Sequence, residues 1–287
     1  MSFAFIQAEK AHYPVRVLCA VLAVSPSGYY AWQGRPRVPP RVRADRGVRV
    51  HLRALHAQYR SYGSPRLHAA LRAAGTRIGR KRVIRLMQAE QLRGRPHRRF
   101  HVTTPVDRGA VYAPNRVQQQ FRAPAPNRVW TSDITALPTG DGWVYLAVVL
   151  DLYSRRIVGW AVRPTLATAL IIDAFEMAVA RRHPAPGVVL HSDRGCQYTS
   201  ETYQAHLRQH GVVGSMSGTG NCFDNAPTES FFRTLKVEIA DRCYWPTRRD
   251  AGAAVATFIE RYYNRERLHS SLGYQSPVAF ETAMKVA

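Results

Sequence analysis

The chain has 287 residues, 46% apolar and 10% aromatic, so it can bury a real core and is long enough for more than one folded, soluble domain. Its 41 Lys and Arg against 19 Asp and Glu leave a formal charge of +22, which points to a polyanionic partner, nucleic acid first. The composition excludes several other classes. Cys19, Cys196, Cys222 and Cys243 form no CxxC pair and no zinc-site spacing, and the apolar stretch after Val17, preceded by Glu9, Lys10 and Arg16, does not look like a signal peptide and is too short to span a bilayer. The expected compartment is the reducing cytoplasm.

The charge is unevenly placed. Residues 1–126 hold 24 Lys/Arg and 4 Asp/Glu, leaving 17 and 15 for residues 127–287, so the halves carry +20 and +2. A bias spread by proteome composition alone would load both halves. The basic half is suited to lie along phosphates, and the nearly neutral half holds almost all the acids, where acid chemistry can sit.

From Val15 to Trp32 the pattern is a short apolar helix, the break Ser25-Pro26-Ser27-Gly28, and an aromatic restart at Tyr29 and Tyr30, a small helical hairpin. Further on, Ser64 as N-cap and Pro65 at the first helical position open a helix that Gly75 closes, and a second begins near Gly79. The second reads Arg80-Lys81-Arg82-Val83-Ile84-Arg85-Leu86-Met87. Its spacing turns Val83, Leu86 and Met87 inward and Arg82 and Arg85 outward, as a helix-turn-helix presents its reading helix to a groove. Arg80, Lys81, Arg82 and Arg85 are therefore candidate DNA contacts, against the alternative of a basic face in water. Basic and Pro-rich residues from Arg93 to Pro126 read as a linker.

The second half changes character. A strand is expected over Arg128–Leu137, then a Thr139-Gly140-Asp141-Gly142 turn, a buried strand Trp143–Leu150, and a strand Arg156–Val162. An apolar-periodic helix follows around Leu166–Ala180, then a strand Gly187–His191, a helix Glu201–His210, a strand Val212–Met216, and a last core helix from near Ala226. The order of three strands, then helix, strand, helix, strand, helix, resembles the ribonuclease H-like fold, an α/β class. The expected domains are an N-terminal helical segment over 1–38, a basic helix-turn-helix-like DNA-binding domain over 39–99, a linker over 100–126, the ribonuclease H-like core over 127–246 and a C-terminal helical extension over 247–287.

Three acids stand out in the second half. Asp133 lies mid-strand, where an ionised side chain is costly unless a cation pairs with it. Asp193 follows the strand ending in His191, at a C-terminal end where α/β folds place sites. Glu229 sits just after Pro227, which suits a first helical turn. Arg233 and Lys236 come four and seven residues later and share its face at about 100° per residue, with Phe231, Phe232, Leu235 and Ile239 opposite. Three carboxylates on separate elements suit hard divalent ions such as Mg²⁺, two of which can run an in-line phosphodiester displacement.

These acids in their local settings, with 35 residues between Asp193 and Glu229 and a Lys seven after the Glu, resemble the Asp-Asp-Glu core of insertion-sequence transposases of the IS-three type, relatives of retroviral integrases. The likeness extends to Leu150-Asp151-Leu152-Tyr153-Ser154-Arg155, Gly159-Trp160, Asp224-Asn225, Tyr263-Asn264, Arg267, His269, Leu272-Gly273-Tyr274 and Ser276-Pro277, and back to Tyr62-Gly63 and the Arg82-Val83 helix.

The resemblance implies a DNA transposase that cleaves and joins element ends. Asp133, Asp193 and Glu229 would be its metal ligands, two Mg²⁺ ions its cofactors with Mn²⁺ as a substitute, and Lys236 a contact to terminal DNA, while Arg233, by its place on the same helix face, is a candidate phosphate contact. Its partners would be the inverted-repeat ends and target DNA, further copies of the chain on that DNA, and an upstream-frame product fused by frameshifting. The zinc module of retroviral integrases has no counterpart here. Asp151 reads as structural; His191 is either a loop-orienting or a packed residue; Arg267 and His269 either touch DNA or serve as solvated or capping groups. Two rivals stand beside this reading, a nuclease of the same fold without strand transfer and a non-catalytic DNA-binding regulator.

Overall fold

The computed structural model describes residues 2–34, 40–94, 112–218, 225–241 and 243–286. The chain divides into two compact units, one of Met1–Tyr59 with Ala70–Arg93 and one of Arg60–Ala69 with Gly94–Ala287.

In the first unit, α1 (Ser2–Glu9), α2 (Val15–Val21) and α3 (Pro26–Gln33) enclose Ile6, Leu18, Cys19 and Tyr29. The hairpin anticipated from Val15 to Trp32 is present, and the Ser25 hydroxyl caps α3 by accepting from the Gly28 N–H at 3.0 Å. α1 falls in the stretch 1–38 expected to be helical, whereas no helix was placed at the long α4 (Pro40–Gln58), which is so rich in arginine that its apolar periodicity is thin. The expected helix pair is α5 (Ser64–Ala73), which straddles the two units, and α6 (Arg80–Ala89). Gly75 ends α5 at φ +80°, a conformation costly for any residue with a Cβ. Val83, Leu86 and Met87 are buried as their spacing required.

The second unit is built on a five-stranded sheet of order β3-β2-β1-β4-β5. Its strands are β1 (Val129–Thr139), β2 (Gly142–Asp151), β3 (Ile157–Arg163), β4 (Val189–Ser192) and β5 (Val213–Met216). The first three form an antiparallel meander through the turn read at Thr139–Gly142, and β4 and β5 add in parallel to β1. One face packs α7 (Thr168–Arg182), the short α8 (Cys196–Thr199) and α9 (Glu201–Gln209) over Trp130, Ala147, Val149 and Leu190, with Phe175 of α7 in the same cluster. A Cβ at Gly159 of β3 would lie 2.0 Å from the Ala174 carbonyl oxygen, so α7 rides directly on the sheet only because that position lacks one.

The other face packs α10 (Ala226–Leu235), prolonged by a π-type turn over Lys236–Ala240, and α11 (Arg248–Thr257), prolonged likewise over Phe258–Tyr263. Phe231, Phe232 and Leu235 of α10 meet Val255, Phe258 and Ile259 and the β2 residues Leu146, Val148 and Leu150 there. The stretch expected as a C-terminal helical extension supplies Ala251, Val255, Phe258, Ile259 and Tyr263 to this core. Within the segment expected as a linker, residues 95–111 lie outside the described residues, while Val117 is buried in the same cluster and the Arg116 N–H donates to Ser215 Oγ of β5 at 2.9 Å.

The final helix α12 (Pro277–Val286) is fastened by charge. Glu281 accepts from Ser154 Oγ (2.7 Å), Arg156 Nη1 (2.7 Å) and both terminal nitrogens of Arg182, whose Nη2 also reaches Asp151 at 3.2 Å. Asp151, fully buried, additionally accepts the Asn127 and Tyr153 backbone N–H groups, which makes it the structural residue it was expected to be. Cys19, Cys196 and Cys243 are free thiols, and among the described residues no helix is long and apolar enough to cross a membrane.

Candidate active site

Register places the first two acids at one level of the sheet. β1 and β4 run parallel with Thr131 opposite His191, so Asp133, two residues along β1, stands level with Asp193, which leaves β4 just past its last residue. Alternation turns Asp133 to the α10 face, with Thr131 and the buried Leu137, while Trp130 and Ser132 turn to the α7 face. The Asp133 carboxylate accepts from the Ile134 N–H at 2.8 Å, and Asp193 from the Gly195 N–H at 3.0 Å.

Glu229 is brought to the same side by α10, and two contacts from its first turn fix that helix to β1. The Thr131 and Thr228 hydroxyls share a buried hydrogen bond of 2.7 Å, and Asn225 Nδ2 donates to the Ser132 carbonyl at 3.1 Å. Each latch lies within two residues of a candidate carboxylate. On the far side of the sheet Tyr198 hydrogen-bonds Ser132 Oγ at 3.0 Å. Tyr198 is held well above the tyrosine range by burial and by the charges of Asp133 and Asp193, so it remains a neutral phenol.

The electrostatics are those of a crowded anionic site. Burial, then the charge of Asp193, then that of Glu229 push the Asp133 carboxyl up to about 8, opposed by the Ile134 N–H and the Lys236 ammonium. Burial also raises Asp193 and Glu229, with the Gly195 N–H and the Arg233 charge opposing in turn. Lys236 is lowered by desolvation, against the pull of Asp133 and Asp241. The candidate residues Asp133, Asp193, Glu229 and Lys236 therefore share one region, with Arg233 exposed at its edge. The donors are not drawn together into a ligand cluster: among the described residues no three His, Cys, Asp or Glu side chains are close enough to hold a metal ion. Mutual repulsion of three carboxyls opposes such closeness until a cation is present. Their chemistry, all oxygen and incompletely neutralised by Lys236, fits a hard divalent ion.

Thr131, Thr228, Asn225 and Tyr198 had no role assigned from sequence, since a hydroxyl pair across two distant elements has no local signature. Replacing Thr228 by Val is expected to leave the Thr131 hydroxyl buried without its partner, to cost about 1–3 kcal/mol, and to raise the metal concentration needed for half-maximal turnover, with Thr228→Ser restoring it. Titrating cleavage against metal for the three proteins checks this.

The residues left open by sequence are resolved by burial. His191 is a packed histidine, Nδ1 against Ser215 Oγ at 2.8 Å and Nε2 against Ser217 Oγ at 3.3 Å. Arg267 and His269 are only 6% and 8% exposed, which rules out the solvated role in this structure. Arg267 Nη2 donates to Thr234 Oγ1 of α10 at 3.1 Å, and His269 stands edge-on to Tyr263, itself edge-on to Phe231. Burial and the charges of Arg267 and Arg66 hold the His269 imidazole well below 6.5, so it is neutral. In the first unit Arg82 and Arg85 do not simply point outward: Arg82 Nη2 and Arg85 Nη2 both reach the buried Asp45 of α4 at 2.7 Å, while Arg80 and Lys81 are exposed.

Two family models described as an integrase core domain match residues 123–222 and 210–277, and one described as an HTH-like domain matches residues 43–100. Among curated proteins, the chain is 40% identical over 283 residues to the transposase InsF for insertion sequence IS3A of Escherichia coli (strain K12), covering 98% of both chains. It is 39% identical over 265 residues to the insertion element IS600 uncharacterized 31 kDa protein of Shigella sonnei, covering 92% of this chain and 97% of that one. Among solved structures, a chain of the simian T-cell lymphotropic virus intasome in complex with PP2A regulatory subunit B56 gamma aligns with a TM-score of 0.47 at 15% identity, over 80% of this chain and 73% of that one.

Proposed function

The chain belongs to the IS3 family of insertion-sequence transposases, and we propose that Asp133, Asp193 and Glu229 are the catalytic carboxylates with which it cuts and joins DNA. It is a DNA transposase, a polynucleotidyl transferase-type enzyme with an HTH-like DNA-binding region and an integrase core. The observation that carries the assignment is that acids from β1, the end of β4 and α10 come to one side of the sheet, where burial and the charges of Asp193 and Glu229 push the Asp133 carboxyl up to about 8.

The three carboxylates would hold two Mg²⁺ ions, or Mn²⁺ in their place. A divalent pair supplies activation of the attacking oxygen and stabilisation of the leaving one. The protein's own part is to place these acids on a rigid sheet and helix, with the Thr131–Thr228 and Asn225–Ser132 contacts holding α10 in register. Lys236 and Arg233 would hold phosphates of the terminal DNA, and Arg80 and Lys81, with Arg82 and Arg85 behind them on Asp45, would form the basic face of the DNA-binding region. In the first step water attacks the phosphodiester at an element end, a P–O bond forms, the bond to the 3′ oxygen breaks, and that oxygen leaves as a hydroxyl. In the second, this 3′-hydroxyl attacks another phosphodiester and displaces its 3′ oxygen. No covalent enzyme intermediate is required. The acting species is an oligomer of the chain on paired ends, joined to an upstream-frame product by frameshifting.

The test is product analysis: end-labelled DNA carrying the terminal repeats, incubated with protein and Mg²⁺, should yield strands joined to new partners. Cleavage without any joined product would leave a nuclease of the same fold, and salt-sensitive binding without cleavage a regulator.

A further inference from the structure

The first unit contains, within α6, a face that the basic residues alone do not explain. Val83, Leu86 and Met87 are buried and define the inward direction of the helix. At about 100° per residue, the opposite direction falls on Lys81 and Gln88, with Ile84 on one flank and Arg85 on the other. Lys81, Ile84, Arg85 and Gln88, spaced three, four and seven residues from the first, thus make one exposed stripe. Arg82 lies on the shoulder of the helix and Arg80 at its edge.

Two arginines of this helix, Arg82 and Arg85, are tied to α4. Arg82 places Nε and Nη2 on one oxygen of Asp45, at 2.8 and 2.7 Å, and Arg85 places Nη2 on the other at 2.7 Å. Asp45 is 3% exposed, so the pair acts as a buttress between α4 and α6. A guanidinium closed on a carboxylate does not present its fork to a guanine edge. Glu90, the other acid of residues 40–93, is likewise held by Arg49 and Arg53 at 3.4 Å each, so no free carboxylate opposes a phosphate at this helix. Beside Arg80 and the outer part of Arg85, which keeps 43% of its side chain exposed, the stripe carries Lys81, the Gln88 amide and one aliphatic side chain. Ile84 is 36% exposed on an otherwise polar stripe, an apolar group without a core to fill.

We propose that Lys81, Ile84 and Gln88 form the base-reading face of α6 in a DNA major groove, with Ile84 against a thymine methyl and the Gln88 amide bidentate on an adenine. The chemistry is specific: thymine alone presents a methyl in that groove, and an amide pairs its donor and acceptor with adenine N6 and N7. Arg82 and Arg85 set the angle of the helix through Asp45. The proposal rests on the reading of the HTH-like region as the DNA-binding part.

The probe is a duplex of each terminal repeat of the element that encodes the chain, with binding followed by anisotropy at fixed salt without divalent metal. Thymines are replaced one at a time by uracil, and adenines by 7-deaza-adenine. At one or two thymines the native chain should lose about threefold to tenfold in affinity, and at one or two adenines about tenfold. Ile84→Ala should bind more weakly and become indifferent to the same thymines, and Gln88→Ala to the same adenines, with melting temperatures unchanged because both side chains are exposed. Sensitivity that persists in the Ala variants, or its absence at every position in the native chain, would overturn the assignment. A native chain with no salt-sensitive binding to either repeat would remove the DNA-binding reading, and this one with it.

Discussion

Alanine at Asp133, Asp193 or Glu229 is expected to lower metal-dependent cleavage and joining by on the order of a thousandfold, since several kcal/mol of transition-state charge stabilisation goes with each ligand. Binding to the terminal repeats should persist, because phosphate contacts and the HTH-like region do not need the carboxylates. Measured single-turnover rates on labelled element ends decide the point, and any one variant that keeps native rates removes its residue from the assignment.

The same residues predict an unusual stability profile. Asp133 is an acid whose folded value of about 8 lies far above its ordinary 3.8, so the folded state holds this proton more tightly than the unfolded one. Its contribution is therefore full at low pH and is lost as pH rises from about 4 through about 8. With chelator present, the native chain should melt lower at pH 9 than at pH 6, and Asp133→Asn, which cannot ionise, should flatten that fall. If the two proteins track each other across this range, the carboxyls do not crowd one another as described.

Arg182→Ala is expected to be the most destabilising single change away from the site, about 3–5 kcal/mol, because it strands buried carboxylates rather than merely deleting a contact. Arg182 bonds Asn127 Oδ1 through Nε at 2.8 Å and spans Asp151 and Glu281, whose side chains are 0% and 8% exposed. The guanidinium is thus the shared cation of two acids, lowering Glu281 and opposing the burial and the Glu281 charge that raise Asp151. Glu281→Gln, which keeps the shape and can still accept hydrogen bonds, should cost much less. Urea unfolding of the three proteins, monitored by tryptophan fluorescence, checks the order. Equal losses would show that packing of α12, not charge, is what holds this corner.

The elements legible in the sequence are those whose signal is local. The three-strand meander could be read from runs such as Trp143–Leu150 and the Gly-rich turn before them, and the observed strands β1 and β2 pair through that turn. α6 was legible because Val83, Leu86 and Met87 repeat at the helical period, and α10 because Pro227 opens it and its aromatics share a face. Asp133 stood out because an acid inside an apolar strand has to be explained by a partner.

Chain order and side-chain periodicity thus determined the α/β core and the helix pair and singled out the three candidate acids, since each depends on neighbours within a few residues. Only the folded arrangement decided that Thr131 meets Thr228 across 97 residues, that Asp45 claims Arg82 and Arg85, and that Arg267 and His269 lie under α10. It also decided that Val255, Phe258 and Ile259 of the C-terminal stretch pack against α10 and β2. Such pairings are set by which buried surfaces pack together and which polar groups must then be satisfied, and no short stretch of chain carries that information.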